Sequence, residues 1–182
     1  MPLLNTVTTP YVEAFLQVAE AREETEQVVE QAKVLLELWN QSPELREAMG
    51  SPVLEVESKK AAITELFGAQ LSPTFLNLLK LLADRQRIGI LGPVLERLLE
   101  IYREQRKIVV ANVSSATALS EAQEQAIAQK LQAMAGTDQL EINLQVNPEL
   151  IGGFVVSLGS QVIDASLAGQ VRRLGLALTK VS

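Results

Sequence analysis

The apolar residues of this chain keep a helical period over the first hundred or so positions and change at Arg106 to the twofold period of strands. From Lys107 to Ser114 the run Ile108, Val109, Val110, Ala111 and Val113 is largely β-branched and too short for a helix. Farther on, Leu140, Ile142, Leu144 and Val146 alternate with Glu141, Asn143, Gln145 and Asn147, the pattern of a strand with one apolar side. No proline- or glycine-rich linker separates the halves, so the change of period alone sets the expected boundary, with domains at 1–105 and 106–182. A chain of 182 residues, 47% of them hydrophobic, is long enough for two small cores. The expected class is α+β: an N-terminal all-helical bundle of about six helices, then a small α/β domain with a short mixed sheet, a hairpin and two helices.

In the first half, Thr9 and Pro10 read as a cap and a first helical position, giving a helix from Pro10 to about Ala21 with Tyr11, Phe15, Val18 and Arg22 along one face. A second helix over Glu23–Trp39 places Val28, Ala32, Leu35 and Trp39 inward, and its acidic residues form a solvated side. Ser42-Pro43 ends it, a short turn covers Glu44 to Met49, and Lys59–Phe67 follows with Ile63, Leu66 and Phe67 inward as far as Gly68. Ser72-Pro73 repeats the cap-and-proline device before Thr74–Arg87, where Phe75, Leu76, Leu78, Leu79, Leu81, Leu82 and Ala83 leave little polar surface. A helix that is apolar nearly all round is either buried on nearly all sides or walls a groove for a partner. Pro93 opens a last long helix with Leu95, Leu98 and Tyr102 on its stripe. Short connections throughout imply nearly antiparallel neighbours.

In the second half, Ser120 and Gln123 form a capping box for a helix carrying Ile127, Leu131 and Met134 inward and stopping at Gly136. Between Glu149 and Leu178, Gly152 and Gly153 precede a strand over Phe154–Leu158, Gly159 and Ser160 turn it, and Gln161–Asp164 returns. Ser166 caps a helix beginning at Leu167. Its stripe Leu167, Val171, Leu174 and Leu178 must cover something apolar, while Arg172, Arg173 and Lys180 are available for another face. Asp164 reads as a turn or cap acceptor.

The chain contains neither histidine nor cysteine, which removes imidazole and thiolate as bases, nucleophiles or metal ligands. Gly152, Gly153 and Gly159 flank a strand instead of joining a strand to a helix, so they make no phosphate loop. No catalytic, cofactor-binding or metal-binding residue is expected. An enzyme would need a site of Asp, Glu, Lys or Tyr, and no spacing suggests one. A net charge of −6 and a pI near 4.8 speak against nucleic acid as a partner. No apolar run approaches the roughly 20 residues that span a bilayer, and the N-terminus has no export or transit pattern, so a soluble chain is expected.

The carboxyl-terminal pattern resembles the signature of the ATP synthase delta subunit, called the oligomycin-sensitivity-conferring protein in mitochondria. The matching residues are Gly152, Gly153, Gly159, Val162, Ile163, Asp164, Ser166 and Leu174, with Ala165 where many relatives have glycine. Pro10-Tyr11-Val12-Glu13-Ala14-Phe15 is similar to the family's Tyr-Ala-x-Ala-Leu opening, with Val12 and Phe15 as departures. Phe75-Leu76 through Leu82-Ala83-Asp84-Arg85-Gln86-Arg87 is similar to its Phe-Leu…Leu-Ala-x-x-x-Arg stretch. The resemblance spans nearly the whole chain and its wording looks most like cyanobacterial and plastid versions.

The resemblance implies a non-catalytic stator subunit linking the alpha/beta catalytic head to the peripheral stalk against rotational torque. It implies that 1–105 receives the N-terminal helix of an alpha subunit on its first and fifth helices, with Tyr11, Ala14, Phe15, Val18, Phe75, Leu79 and Leu82 as contact candidates. It also implies that 106–182 meets the b and b′ stalk subunits, with Arg172, Arg173 and Lys180 as candidates. The subunit would lie on the cytoplasmic or stromal face of a thylakoid and touch the membrane only through the complex. On the residues alone, a helix-binding adaptor unrelated to ATP synthesis and a small enzyme with an Asp/Glu/Lys site stay open.

Overall fold

The computed structural model describes residues 2–136, 139–159 and 161–179. The chain divides into two compact units, Met1–Tyr102 and Arg103–Ser182, a division three residues ahead of the expected boundary at 105/106. The first unit is helical: α1 (Pro2–Ala21), α2 (Thr25–Gln41), α3 (Pro43–Gly50), α4 (Val56–Phe67), α5 (Pro73–Asp84), a 3-10 turn at Ile88–Ile90, and α6 (Leu91–Arg106), whose last turn belongs to the second unit.

α1 starts eight residues earlier than Thr9-Pro10 suggests and runs through Pro10. A proline inside a helix forfeits a backbone hydrogen bond and ordinarily costs about 3 kcal/mol. Here Thr8, Val12, Leu16 and Ala19, at i, i+4, i+8 and i+11, are all buried, so one packed stripe continues past the proline while Pro10 itself faces outward. The burial of that stripe outweighs the local penalty.

Three helices end in the same way without glycine. After α5, Gln86 adopts φ 54°, its N–H donates to Ala83 O at 2.9 Å, and the Arg87 N–H donates to Leu82 O at 2.7 Å. That is a Schellman end. Glu23 (φ 57°) after α1 and Lys107 (φ 54°) after α6 do the same, with Glu24 N–H bonded to Ala19 O and Ile108 N–H to Arg103 O. With Gln in place of the usual glycine, the sequence overshoots the end of α5 by three residues, to Arg87.

The core of this unit gathers Phe15, Trp39, Ile63, Phe67, Phe75, Leu79, Leu82, Leu95 and Leu98, among others. In α4 the buried stripe is Lys59, Ile63 and Phe67 at i, i+4 and i+8, so Leu66, expected inward, is displaced to the outside and is 53% exposed. Lys59 is buried by its aliphatic stem, with Nζ donating to Ser51 O at 2.6 Å just beyond α3, where a cation suits the carbonyl end of a helix.

The second unit has a four-stranded sheet in the order β2-β1-β3-β4, made of β1 (Val109–Ser115), β2 (Leu140–Val146), β3 (Phe154–Leu158) and β4 (Gln161–Asp164), with α7 (Glu121–Ala135) and α8 (Leu167–Thr179). β1 and β2 are parallel and joined across α7; β1–β3 and β3–β4 are antiparallel. The expected sequence of strand, helix, strand, hairpin and helix, with a mixed sheet, is therefore present. Gln123 Oε1 accepts from Ser120 N at 2.9 Å, and Gly136 closes α7 at φ 64°. Ile127 and Leu131 pack on Ala111, Val113, Val156 and Leu158. The stripe continues at Ala135 (i+4), which turns Met134 outward to 54% exposure, against expectation. Leu144 and Val146, on the same side of β2 as the packed Leu140 and Ile142, are about half exposed.

Phe75 is fully buried against Phe15, ring centroids 5.3 Å apart at 80°. Phe75→Ala is expected to lower unfolding free energy by about 3–5 kcal/mol in a urea titration of the full chain. A loss below about 1 kcal/mol would remove it from the core.

Candidate functional site: the groove between the first and fifth helices

α1 and α5 lie antiparallel, since the end of α1 meets the start of α5 (Arg22 Nη1 to Thr74 Oγ1, 3.1 Å) and Tyr11 meets Arg87 just beyond the end of α5 (Nη1 to Oη, 3.1 Å). Between them runs an open groove of about 350 Å³. Its floor is Phe15 and Leu78, each 5% exposed. Its walls are Tyr11, Ala14 and Val18 from α1, and Thr74, Asn77 and Leu81 from α5; Val18 is 45% and Leu81 42% exposed. Apolar side chains left this open along two helices suit the apolar face of a third.

The groove brings together Tyr11, Ala14, Phe15 and Val18, as grouped in the sequence, but not Phe75, Leu79 and Leu82. Those three are 0–1% exposed and belong to the core, so they offer no surface to a partner. The correction has a simple geometric cause. α5 carries two overlapping apolar stripes one residue apart, 75/79/82 and 74/78/81, about 100° apart around the axis. The bundle buries the first and leaves the second for the groove. Sequence periodicity contains both stripes and does not say which one the bundle takes. Arg22, read as the end of the α1 face, lines one end of the groove.

In the second unit, the glycine and Asp-x-Ser signature forms one interlocked corner. Gly152 O accepts from Leu167 N (3.0 Å), Phe154 O from Ala165 N (2.9 Å), and Gly153 O from Ala116 N (3.2 Å). Gly153 sits at φ 78°, and a Cβ there would come within 2.4 Å of Ala165 O; a Cβ on Gly152 would press on Leu167. Asp164 Oδ1 accepts from the Ser166 hydroxyl at 2.5 Å and from its N–H at 3.0 Å, and Ser166 Oγ in turn accepts from Gly169 N at 3.0 Å, capping α8. The Ser166 hydroxyl, then its N–H, and beyond them the Arg172 charge hold the Asp164 carboxyl below the usual range, so it is ionised and structural.

Arg172 bonds Asp164 Oδ2 at 3.0 Å and Arg173 bonds Asp164 O at 2.8 Å, so both reach back to the same corner while remaining exposed. Leu167 and Val171, expected to cover apolar surface, are 50% and 68% exposed. The side chains of Leu174 and Leu178, and all of Ser160 and Lys180, lie outside the described residues.

The Asp/Glu/Lys alternative meets its nearest equivalent at Lys60, which bonds Asp84 at 3.0 Å and Glu57 at 3.2 Å on an open surface. The Asp84 carboxylate, and then Glu57, hold that ammonium above the usual lysine range, whereas a lysine nucleophile must be neutral. Among the described residues no cluster of three metal-ligating side chains occurs, and no helix is long and apolar enough to cross a membrane.

The fold is a helical bundle with an open, mostly apolar groove, followed by a small mixed-sheet unit. Residues 7–178 match the family model described as ATP synthase delta (OSCP) subunit. The chain is 70% identical over 182 residues, the whole of both chains, to the ATP synthase subunit delta of Prochlorococcus marinus strain MIT 9303, and 62% identical, again over both whole chains, to that of Synechococcus sp. strain CC9902. Its fold is similar to a chain in the cryo-EM structure of the Toxoplasma gondii mitochondrial ATP synthase hexamer, with a TM-score of 0.68 at 20% identity over 93% of this chain and 96% of that one. The chain belongs to the ATP synthase delta (OSCP) family. It is a structural subunit of that enzyme complex, on its stator.

The corner predicts a ranking of glycines. Gly153→Ala places a methyl against backbone at positive φ and is expected to cost about 2–4 kcal/mol, whereas Gly159→Ala, at φ 57° with open space around it, is expected to cost about 1–2. Thermal denaturation of the two variants checks the order, and equal losses would contradict it.

Proposed function

We propose that this chain is the connector between the catalytic head and the peripheral stalk, with its first unit gripping the N-terminal helix of an alpha subunit in the α1/α5 groove. The observation that carries this reading is the open apolar trough itself: a floor of Phe15 and Leu78, walls of Val18 and Leu81 left near half exposed, and only one charged lining residue. An amphipathic helix places anchors at i, i+3, i+4 and i+7 into such a trough. The second unit meets the b and b′ subunits through the exposed side of α8, where Leu167 and Val171 supply apolar area and Arg172 and Arg173 a basic rim suited to an acidic coiled coil.

The task needs no reactive side chain. Rotation of the central shaft drags on the head, and the link must hold without slipping. Two separate grips on one chain multiply their strengths, because once one is engaged the other binds at high effective concentration. Membrane association follows through the complex, on the cytoplasmic or stromal face, and the likeness to cyanobacterial chains favours a thylakoid.

The test is calorimetric titration of the full chain with a peptide of the alpha-subunit N-terminus. Binding is expected, and Val18→Asp or Leu81→Asp should weaken it by at least about 2 kcal/mol, roughly 30-fold. Each variant should lose only about 1–2 kcal/mol of unfolding stability and stay folded, because these positions are near half exposed. No binding by the unaltered chain, or unaltered affinity in both variants, would reject the groove.

A further inference from the structure

The groove is mostly apolar, with Arg22 lining one end and Arg87 held against the lining residue Tyr11 at the other. At one end Arg22 lines it, with Nη1 on Thr74 Oγ1 at 3.1 Å; Thr74 in turn donates to Glu24 Oε2 at 2.7 Å, so the carboxylate of Glu24 is engaged beyond the threonine. At the other end Arg87 lies over the Tyr11 ring, 5.9 Å from its centroid, and donates to the Tyr11 hydroxyl at 3.1 Å. The Schellman turn at Gln86, with the Arg87 N–H on Leu82 O, fixes the backbone that delivers this side chain. Among the described residues neither guanidinium has a carboxylate within ion-pair distance, and no acidic side chain lines the groove.

We propose that these two arginines select the occupant: an amphipathic helix of about three turns bearing a carboxylate at each end of its apolar face, one for Arg22 and one for Arg87. The spacing follows from α1 itself. Tyr11 and Arg22 are eleven residues apart on one helix, about 16 Å, and a helix laid alongside returns to the same face after eleven residues. The carboxylates therefore stand at i and i+11, flanking the anchors that fill the trough. A guanidinium held over an aromatic ring is pre-oriented, so it loses little side-chain freedom on pairing. Charges at the rim of an interface act mainly on association rate and partner choice and are screened by salt.

This inference rests on the groove reading above, and the test separates the two. The full chain is titrated with the alpha-subunit N-terminal peptide and with a copy whose Asp and Glu are replaced by Asn and Gln. In 20 mM salt the amide copy is expected to bind about 5- to 20-fold more weakly, with the gap closing in 0.5 M salt. Arg22→Gln and Arg87→Gln should each weaken the acidic peptide about 3- to 5-fold and leave the amide copy unchanged, while Arg22→Lys and Arg87→Lys keep most of the affinity. Circular-dichroism melts of each variant exclude loss of fold as the cause. Equal affinity of the two peptides for the unaltered chain would overturn the selection by charge and leave the groove standing. Failure of both peptides to bind would overturn the groove reading and this one with it.

Discussion

The edge-to-face contact of Phe15 and Phe75 is the interaction on which the groove of the first unit depends. It holds α1 against α5 from the core side, at a ring separation of 5.3 Å. Phe15 is shared, because the side chain that packs on Phe75 also forms part of the groove floor. The trough is therefore the outer surface of a packed contact, and its floor is set by core side chains. Polar clamps at the ends, Arg22 with Thr74 and Arg87 with Tyr11, sit where the apolar contact runs out. A site preformed in this way loses little conformational freedom when occupied, which suits a joint that must resist a steady load.

The second unit reaches rigidity by a different route. Its core is small, built around Ala111, Val113, Ile127, Leu131, Val156 and Leu158. The entry to α8 is instead fixed by a corner in which the backbone of 152–154, the Asp164 carboxylate and Ser166 satisfy one another. Glycine is needed at 153 because a side chain there would strike the Ala165 carbonyl. The acid is needed at 164 because the Ser166 hydroxyl and N–H and the Arg172 guanidinium converge on its carboxylate, while Arg173 takes the backbone carbonyl of the same residue. The most recognisable stretch of the sequence thus aims the last helix, while the exposed apolar side chains of that helix, Leu167 and Val171, lie outside the signature.

Most of the architecture was legible from periodicity: the helical first half, the strands after Arg106, the hairpin at Gly159 and the final helix. What was not legible has specific causes. The early start of α1 was hidden by Pro10, which reads locally as a beginning and is overridden by the Thr8–Val12–Leu16 stripe. The end of α5 was hidden by Gln86 taking a conformation that glycine normally marks. The groove was half legible: α1 carries one apolar stripe beyond its core stripe and the choice there was forced, whereas α5 is apolar nearly all round and the choice between 75/79/82 and 74/78/81 belongs to the bundle. In the second unit the expectation that Leu167 and Val171 would be covered missed because amphipathicity reports that a face seeks apolar contact, and not whether the chain itself supplies it.

As proposed, one chain holds two partners through two faces, the α1/α5 groove and the open side of α8. Placing a photo-crosslinking amino acid at Val18 in one assembled ATP synthase preparation and at Val171 in another, then identifying the attached chain by mass spectrometry, tests it most directly. Attachment of Val18 to the N-terminal segment of an alpha subunit and of Val171 to a peripheral-stalk b subunit is the expected result. Attachment of both positions to one partner, or of Val18 to the stalk and Val171 to the head, would contradict it.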